Sequence, residues 1–137
     1  MNKNRTNYRT LFSSIILVFI AITANAQNQE DVINAINKSI IKGDAEGVAT
    51  YFDTNIDLRL PKIDGSYSSK QAVVILGDFF KSTPSPKFNI QHRGSSNDGS
   101  YYAIGKYTSN DIKYRTYFLL KKKNGRYLIQ QLQFEKE

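Results

Sequence analysis

Residues 112–135, IKYRTYFLLKKKNGRYLIQQLQFE, decide the fold because they alternate in polarity on both sides of one turn. Asn124-Gly125 lies between the two halves. Asn-Gly between alternating segments is the strongest short-range signal for a β-hairpin, because both central residues of a type I′ turn need a positive φ. The sequence therefore predicts strands over residues 112–123 and 126–135, joined by a tight turn.

Two further strands are predicted on the N-terminal side of this hairpin, over residues 87–94 and 100–109. Short links rich in Ser, Asn, Asp and Gly follow them, at residues 96–99 and 109–111, and these residue types favour turns. The C-terminal half of the chain is therefore predicted to be a meander of four antiparallel strands.

The N-terminal half has helical periodicity instead. Asn28 is a predicted N-cap, and Gly43 suits the left-handed position that follows a helix. Between them, apolar residues recur at helical spacing and predict one buried stripe. The members of this stripe are Val32, Ile33, Ile36, Ile40 and Ile41. Asp44 is predicted to cap a second, shorter helix that runs through Phe52.

The next segment changes from a period of about 3.6 residues to a period of 2. Alternation over residues 56–60 predicts a half-buried strand that stops at Pro61. Asp64-Gly65 then predicts a turn, with short strand pairing around Tyr67.

A third helix is predicted over residues 70–81, with Ser68 or Ser69 as its N-cap and a broad apolar face. Pro84 prevents this helix from continuing. The order of helix, helix, strand, helix and four strands predicts one α+β domain over residues 27–137. In this domain a curved antiparallel sheet wraps around a long helix, with two further N-terminal helices.

The first 26 residues have the three zones of a secretory signal peptide. Residues 3–9 carry three basic and no acidic side chains, residues 11–22 are apolar, and Ala-Asn-Ala at residues 24–26 suits cleavage. The apolar stretch is shorter than the about 20 residues that a spanning helix needs. We therefore predict cleavage after Ala26, export to the periplasm or the medium, and no stable membrane insertion.

Composition limits the possible functions. The 137-residue chain has a formal net charge of +7, and loss of the three basic residues of the leader lowers it to +4. A net charge of this size is ordinary for a soluble domain and does not indicate a nucleic-acid partner. The chain has no cysteine, which excludes disulfides, thiolate metal sites and thiol nucleophiles.

Several short segments resemble one group of proteins, over almost all of residues 28–137 and most specifically from Tyr114 onward. They are Tyr51-Phe52, Tyr67-Ser68, Gln71-Ala72, Asp78-Phe79-Phe80, Phe88-Asn89-Ile90-Gln91-His92, Tyr102-Ala103-Ile104-Gly105, Tyr114-Arg115, Leu119-Leu120-Lys121-Lys122 and Leu128-Ile129-Gln130-Gln131-Leu132. They resemble small exported proteins of a domain-of-unknown-function group, typical of Bacteroidetes-type bacteria, within the nuclear-transport-factor-2-like superfamily. This resemblance implies the cystatin-like fold, in which the sheet forms a cone, and implies no catalytic residue.

His92 is the one histidine of the chain. Strand alternation places it on the same face as Phe88 and Ile90, so we expect it on or beside the core-facing surface. Enzymes of the resembled superfamily often hold a His or Asp in the cone as general base, which makes His92 a weak catalytic candidate. The alternative is a structural histidine, because one histidine does not by itself form a metal site.

A cavity hypothesis combines His92 with the hydrogen-bonding groups of Tyr51, Tyr102 and Gln130. The apolar walls of this predicted cavity are Phe79, Phe80, Phe88 and Ile90. We predict that a small-molecule ligand binds there.

Both faces of the strand predicted over residues 112–123 are partly apolar. Tyr114, Thr116, Phe118 and Leu120 share one face, and Arg115, Tyr117 and Leu119 share the other. A sheet with one face in water alternates more cleanly, so we predict Arg115 and Tyr117 at a homodimer interface across the sheet. Proteins of the resembled fold commonly dimerise in this way. The alternative is that tyrosines simply suit exposed strands.

Basic residues cluster around the predicted Asn124-Gly125 turn, at residues 121–123 and at Arg126. One interpretation is a surface that binds polyanions or anionic lipids. The other is a solvated hairpin tip that discourages aggregation between sheet edges. Nucleic acid is not expected as a partner, because sheets that bind it usually interleave basic side chains with stacking aromatic side chains. The predicted export of the chain also argues against such a partner.

The sequence thus predicts a non-enzymatic exported domain that binds a small ligand in its cone or a protein through its sheet. The alternative is a cofactor-independent isomerase or dehydratase with His92 as general base, which needs a tyrosine or carboxylate near His92 in a water-accessible pocket. Asp44, Asp53 and Asp78 lie at or near predicted helix ends, where capping or a surface position explains them better than catalysis. No motif indicates a cofactor or a metal.

Overall fold

The structure, a computed structural model, describes residues 27–137, so the predicted signal peptide lies outside the described residues. The elements in chain order are α1 (Gln29–Lys42), α2 (Ala45–Ala49), β1 (Phe52–Leu60), β2 (Ile63–Ser68), α3 (Ser69–Ser82), β3 (Lys87–Ser95), β4 (Tyr101–Ser109), β5 (Ile112–Lys123) and β6 (Arg126–Lys136). The predicted α+β class is confirmed. None of the helices in this part of the chain is long and apolar enough to cross a membrane.

Local signals set the ends of α1 as predicted. The Asn28 side chain accepts a hydrogen bond from the backbone N–H of Glu30, 3.2 Å away. Gly43 ends the helix at a φ of 63°, in the left-handed region where glycine has no steric penalty. One member of the predicted stripe is wrong, because Ile41 is 43% exposed while the preceding Ile40 is buried.

The second helix is shorter than predicted, because Phe52 belongs to a strand. In β1, Phe52 pairs with Ile129 of β6 in parallel. The backbone N–H of Ile129 also donates to the carbonyl oxygen of Tyr51, 2.6 Å away. Pairing with a strand at the far end of the chain therefore overrides the local helical pattern.

The turn after β1 also differs from the prediction. It lies at Pro61 and Lys62, where the ring of Pro61 fixes φ at a value suited to a turn. Gly65 lies inside β2 instead and pairs with Leu58 of β1. The predicted turn at Asp64-Gly65 is therefore wrong, and β1 and β2 form one antiparallel hairpin.

Ser68 begins α3 through a reciprocal capping box. Its hydroxyl accepts from the backbone N–H of Gln71, and the Gln71 side chain accepts from the backbone N–H of Ser68. The buried face of this helix packs against the sheet. Its buried members are Ala72, Leu76, Phe79 and Phe80.

The six strands form one curved, unclosed sheet in the order β2-β1-β6-β5-β4-β3. The predicted meander from β3 to β6 is confirmed, with antiparallel neighbours throughout. Asn124 and Gly125 have φ values of 50° and 76°, as a type I′ hairpin turn requires. One pair differs from a fully antiparallel sheet, because β1 runs parallel to β6.

The register of the sheet shifts at three places, namely between Phe52 and Asp57 in the β1–β6 pair and at one bulge each in β3 and β6. Gln91 is the extra residue of β3, since Ile90 pairs with Gly105 and His92 pairs with Ile104. Gln130 is the extra residue of β6, since Leu119 pairs with Gln131 and Leu120 pairs with Ile129. A bulge bends its strand and exchanges the two faces for the residues that follow.

Aromatic rings fill the space between α3 and the core-facing side of the sheet. The ring of Phe79 lies 4.9 Å from that of Phe134, and the ring of Tyr107 lies 5.1 Å from that of Phe134. The Tyr107 hydroxyl is buried, and its oxygen lies 2.7 Å from the hydroxyl of Thr83, which ends α3. The interior of the cone is therefore packed at this level, and its polar group is satisfied.

Candidate functional site

The four residues predicted to line one cavity do not come together in the structure. His92 and Tyr102 lie on the outer face of the sheet, which is the face turned away from α3. Gln130 forms the bulge in β6 and binds Asp53. Tyr51 is half-buried immediately before β1.

His92 is exposed, and the prediction that it lies on the core-facing side is wrong. Phe88 pairs with the buried Tyr107, as alternation requires, but the extra residue Gln91 reverses the pattern before His92 is reached. His92 therefore pairs with Ile104, whose side chain is on the outer face. The β3 residues around this bulge, residues 89–93, include no Gly or Pro that would have indicated it.

An aromatic row crosses β3, β4 and β5 on the outer face. The Tyr102 hydroxyl lies 3.3 Å from Nε2 of His92, and the ring of Tyr102 stacks on that of Tyr117 with 6.3 Å between centroids. A side chain at Gly94 would collide with the Tyr102 ring, so glycine leaves the room that this ring occupies. Burial raises the pKa of Tyr117.

Four half-buried side chains form a contiguous surface on β4 and β5, which we call the outer apolar patch. They are Tyr102, Ile104, Tyr117 and Leu119. Ile104 pairs with Tyr117, and Leu119 pairs with Tyr102. The exposed Arg115 precedes Tyr117 by two residues on the same face of β5. The predicted division of β5 into two faces is therefore confirmed, and Arg115 and Tyr117 stay interface candidates.

Asp53 is a buried carboxylate that the sequence did not reveal. It is 7% exposed in β1, whereas its position near a helix end predicted a cap or a surface residue. Nε2 of Gln130 donates to it from 2.6 Å, the backbone N–H of Thr54 from 2.7 Å and Nζ of Lys123 from 3.2 Å. These donors lower the pKa of Asp53, and the hydrogen bond from Gln130 has the largest effect.

The basic cluster around the β5–β6 turn has local partners. Lys121 lies 3.8 Å from Asp98, and Lys123 binds Asp53. Nζ of Lys122 lies over the ring of Tyr127, 5.6 Å from its centroid. These contacts favour the interpretation of a solvated hairpin tip.

A groove of about 410 Å³ opens between α3 and the β1–β2 hairpin, and we call it the rim groove. Its lining is Leu60, Pro61, Lys62, Ile63, Ile75, Asp78, Phe79, Ser82 and Tyr114. A second hollow of about 630 Å³ adjoins it and shares residues 60–63. The aromatic core forms the floor of the groove, because Phe79 and Tyr114 are buried members of that core.

The groove lining has more apolar than polar character. In the described part of the chain, no group of three His, Asp or Glu side chains stands together in a way that holds a metal ion. The rim groove is therefore suited to hydrophobic binding with a few polar groups at its edge.

Comparison with known proteins agrees with this architecture. The family model of a domain of unknown function, DUF4783, matches residues 33–135. A crystal structure of a DUF4783 family protein from Bacteroides ovatus has a TM-score of 0.69 and 23% identity, over 75% of this chain and 93% of that chain. One from Bacteroides uniformis has a TM-score of 0.70 and 20% identity, over 76% and 95% of the two chains.

The wider fold is shared with nuclear-transport-factor-2-like (NTF2-like) proteins. An NTF2-like protein of unknown function from Shewanella baltica has a TM-score of 0.58 and 13% identity, over 79% of this chain and 90% of that chain. No functionally curated protein matches the sequence. The resemblance drawn from the sequence is thus confirmed, and at these identities the likeness shows the fold.

We expect Asp53→Asn to lower the free energy of unfolding by about 1–3 kcal/mol at neutral pH, because the neutral amide loses the charge-assisted hydrogen bonds from Gln130 and Lys123. The folded state lowers the pKa of Asp53. Its stabilising contribution is therefore complete above the unfolded pKa and disappears as the pH falls through the folded pKa, below about pH 4.

Urea denaturation at several pH values tests this prediction. Asp57→Asn is the matched control, since Asp57 is exposed on the same strand. A difference between wild type and Asp53→Asn that stays constant down to about pH 2 would contradict the role given to the ionised carboxylate.

Proposed function

The chain belongs to the DUF4783 family, and we propose that it is a non-enzymatic exported domain that binds a small ligand with an apolar body in the rim groove. The observation that carries this proposal is the groove itself, which combines a concave shape with apolar walls. Pockets that bind small molecules have volumes of about 300–1,000 Å³ and largely hydrophobic linings. The rim groove, at about 410 Å³, lies in this range.

The walls of the groove come from rigid elements. Leu60 and Ile63 flank the turn of the β1–β2 hairpin, while Ile75 and Phe79 lie on successive turns of α3. A ligand that contacts both sides would remove the half-buried Ile63 and Ile75 from water. Burial of apolar surface contributes about 25 cal/mol per Å², so even a short hydrocarbon chain gains useful affinity in such a groove.

The position of His92 favours binding over catalysis. A tyrosine hydroxyl does lie within 3.3 Å of its Nε2, as the isomerase or dehydratase alternative requires. The pair lies on the outer face, however, whereas the rim groove opens on the core-facing side, where Phe79 of α3 packs against Tyr114 of β5. The candidate base is therefore separated from the groove by the sheet.

Export is the second part of the proposal. It is supported by the charged, apolar and small-residue zones of residues 1–26. The packing of the domain is compatible with it, because the chain has no cysteine that would need a defined redox state.

A second candidate function is self-association through the outer apolar patch. Tyr102, Ile104, Tyr117 and Leu119 adjoin one another in the middle of the sheet, and the exposed Arg115 lies beside them. Tyrosine and arginine are enriched at protein interfaces. A second copy of the chain is the partner that we propose, since an identical patch on each copy satisfies a two-fold interface.

For the groove, we expect the neutral fluorescent probe N-phenyl-1-naphthylamine to bind the wild-type domain. Ile75→Asp places a charge on the wall of the groove and is expected to weaken binding by about tenfold or more. Val74→Asp is the control, because Val74 neighbours Ile75 in α3 but is 62% exposed. Equal probe affinity in wild type and Ile75→Asp, with both folded by circular dichroism, would overturn the groove proposal.

For export, we expect the protein isolated from cells to begin at Gln27. Replacing Ala26 by Phe removes a small residue from the cleavage site and is expected to leave an uncleaved precursor. Mass spectrometry of the intact protein from separated cell fractions measures both outcomes. A wild-type protein that keeps Met1 and stays in the cytoplasm would rule out export.

For self-association, we expect light scattering coupled to size-exclusion chromatography to give the mass of a dimer. Tyr117→Glu is expected to give a monomer, because it places a charge in the outer apolar patch. Ile112→Glu is the control, since Ile112 is 39% exposed at the start of β5, away from the patch. A wild-type monomer at high concentration would refute the dimer.

A further inference from the structure

We propose that the ligand of the rim groove is an anionic amphiphile, such as a long-chain carboxylate, whose charged group is bound by Lys62 and Lys136. This inference depends on the proposed function of the groove and names the chemical class of its ligand.

Six charged side chains line the rim groove and the adjoining hollow. They are Arg59, Lys62, Asp64, Asp78, Glu135 and Lys136. Three are acidic and three are basic, so the sum of their formal charges alone does not favour either sign of ligand. The sign of the ligand charge that the groove favours depends on which of these side chains form ion pairs.

Every acid of this set already has a basic partner. Arg59 binds Asp64 through Nε at 3.0 Å and Glu135 through Nη1 at 3.2 Å. The hydrogen bond to Glu135, and then the contacts with Asp64, raise the pKa of Arg59. Asp78 lies 3.9 Å from Lys81, which is outside the groove. Arg59 carries one positive charge against two carboxylates and Lys81 compensates Asp78, so one negative charge remains before Lys62 and Lys136 are counted.

Lys62 and Lys136 join no ion pair among residues 27–137. Both are exposed, so each ammonium group is hydrated and free to approach a ligand. With Lys62 and Lys136 included, the formal charges of the two hollows and of Lys81 sum to +1, which favours an anion over a cation.

The positions of the two lysines define how such a ligand lies. Lys62 is in the turn that separates the two hollows and lines both of them. Lys136 ends β6 and lines only the second hollow, close to Phe134. A hydrocarbon tail in the rim groove thus places a headgroup near Lys62, with Lys136 beyond it. The stems of both lysines add apolar surface to the walls.

The test compares three ligands of twelve carbons each as competitors of N-phenyl-1-naphthylamine, below their micelle concentrations or solubility limits. They are dodecanoate, dodecan-1-ol and dodecylamine. At low ionic strength we expect dodecanoate to compete about tenfold better than dodecan-1-ol, and dodecylamine to compete worst. Because exposed ion pairs are screened by salt, the preference for dodecanoate should shrink in about 0.5 M NaCl.

Variants then locate the anion site. Lys62→Gln and Lys136→Gln should each weaken dodecanoate binding by about fivefold or less, and the double variant should bind dodecanoate and dodecan-1-ol equally. Lys38→Gln is the control, because Lys38 is exposed on α1 and is remote from the groove lining. The affinity for dodecan-1-ol should be unchanged in Lys38→Gln, and in the Lys62 and Lys136 variants it should fall less than the affinity for dodecanoate.

The outcomes separate this inference from the function beneath it. Equal competition by dodecanoate and dodecan-1-ol in the wild type would overturn the anionic headgroup and leave the apolar groove intact. A preference for dodecanoate that survives in the double variant would equally overturn the role of Lys62 and Lys136. Failure of every compound and of the probe to bind would overturn the groove proposal as well.

Discussion

Packing of α3 against the curved sheet is the interaction on which the rest of the structure depends. The chain has no cysteine, so the domain has no disulfide. Stability then depends on buried apolar surface, and the rings of Phe79, Tyr107 and Phe134 supply much of it where helix and sheet meet. The same rings close the interior of the cone. Space for a ligand is left at the rim, where the β1–β2 hairpin stands beside α3.

Much of the fold was predictable because local signals carry it. Asn28 and Gly43 mark the two ends of α1, and Ser68 is the N-cap of α3. Asn124-Gly125 sets the register of the last hairpin. Each of these residues acts through its own backbone or a neighbour within a few positions, so its effect can be read without knowing the rest of the chain.

The errors concern contacts between distant parts of the chain. Phe52 was predicted to be helical but lies in a strand, because it pairs with Ile129. Asp53 was predicted to be a cap or a surface residue but is buried, where Gln130 from the bulge in β6 donates to it. Because of the bulge at Gln91, the His92 side chain lies on the outer face of the sheet. His92 therefore does not line the predicted cavity. The rim groove was not predicted either, since it exists only where α3 meets the β1–β2 hairpin. No alternation or cap near these residues indicates such an arrangement.

The sheet thus separates two surfaces with different chemistry: a concave apolar groove at the rim and a broad outer patch centred on Tyr102 and Tyr117. A titration of ¹⁵N-labelled protein with dodecanoate tests whether ligands bind in the groove. We expect amide shift changes concentrated at Leu60, Lys62 and Ile63 and around Ile75. Changes confined to the outer face around His92 and Tyr102, or no changes at saturating ligand, would contradict binding in the groove.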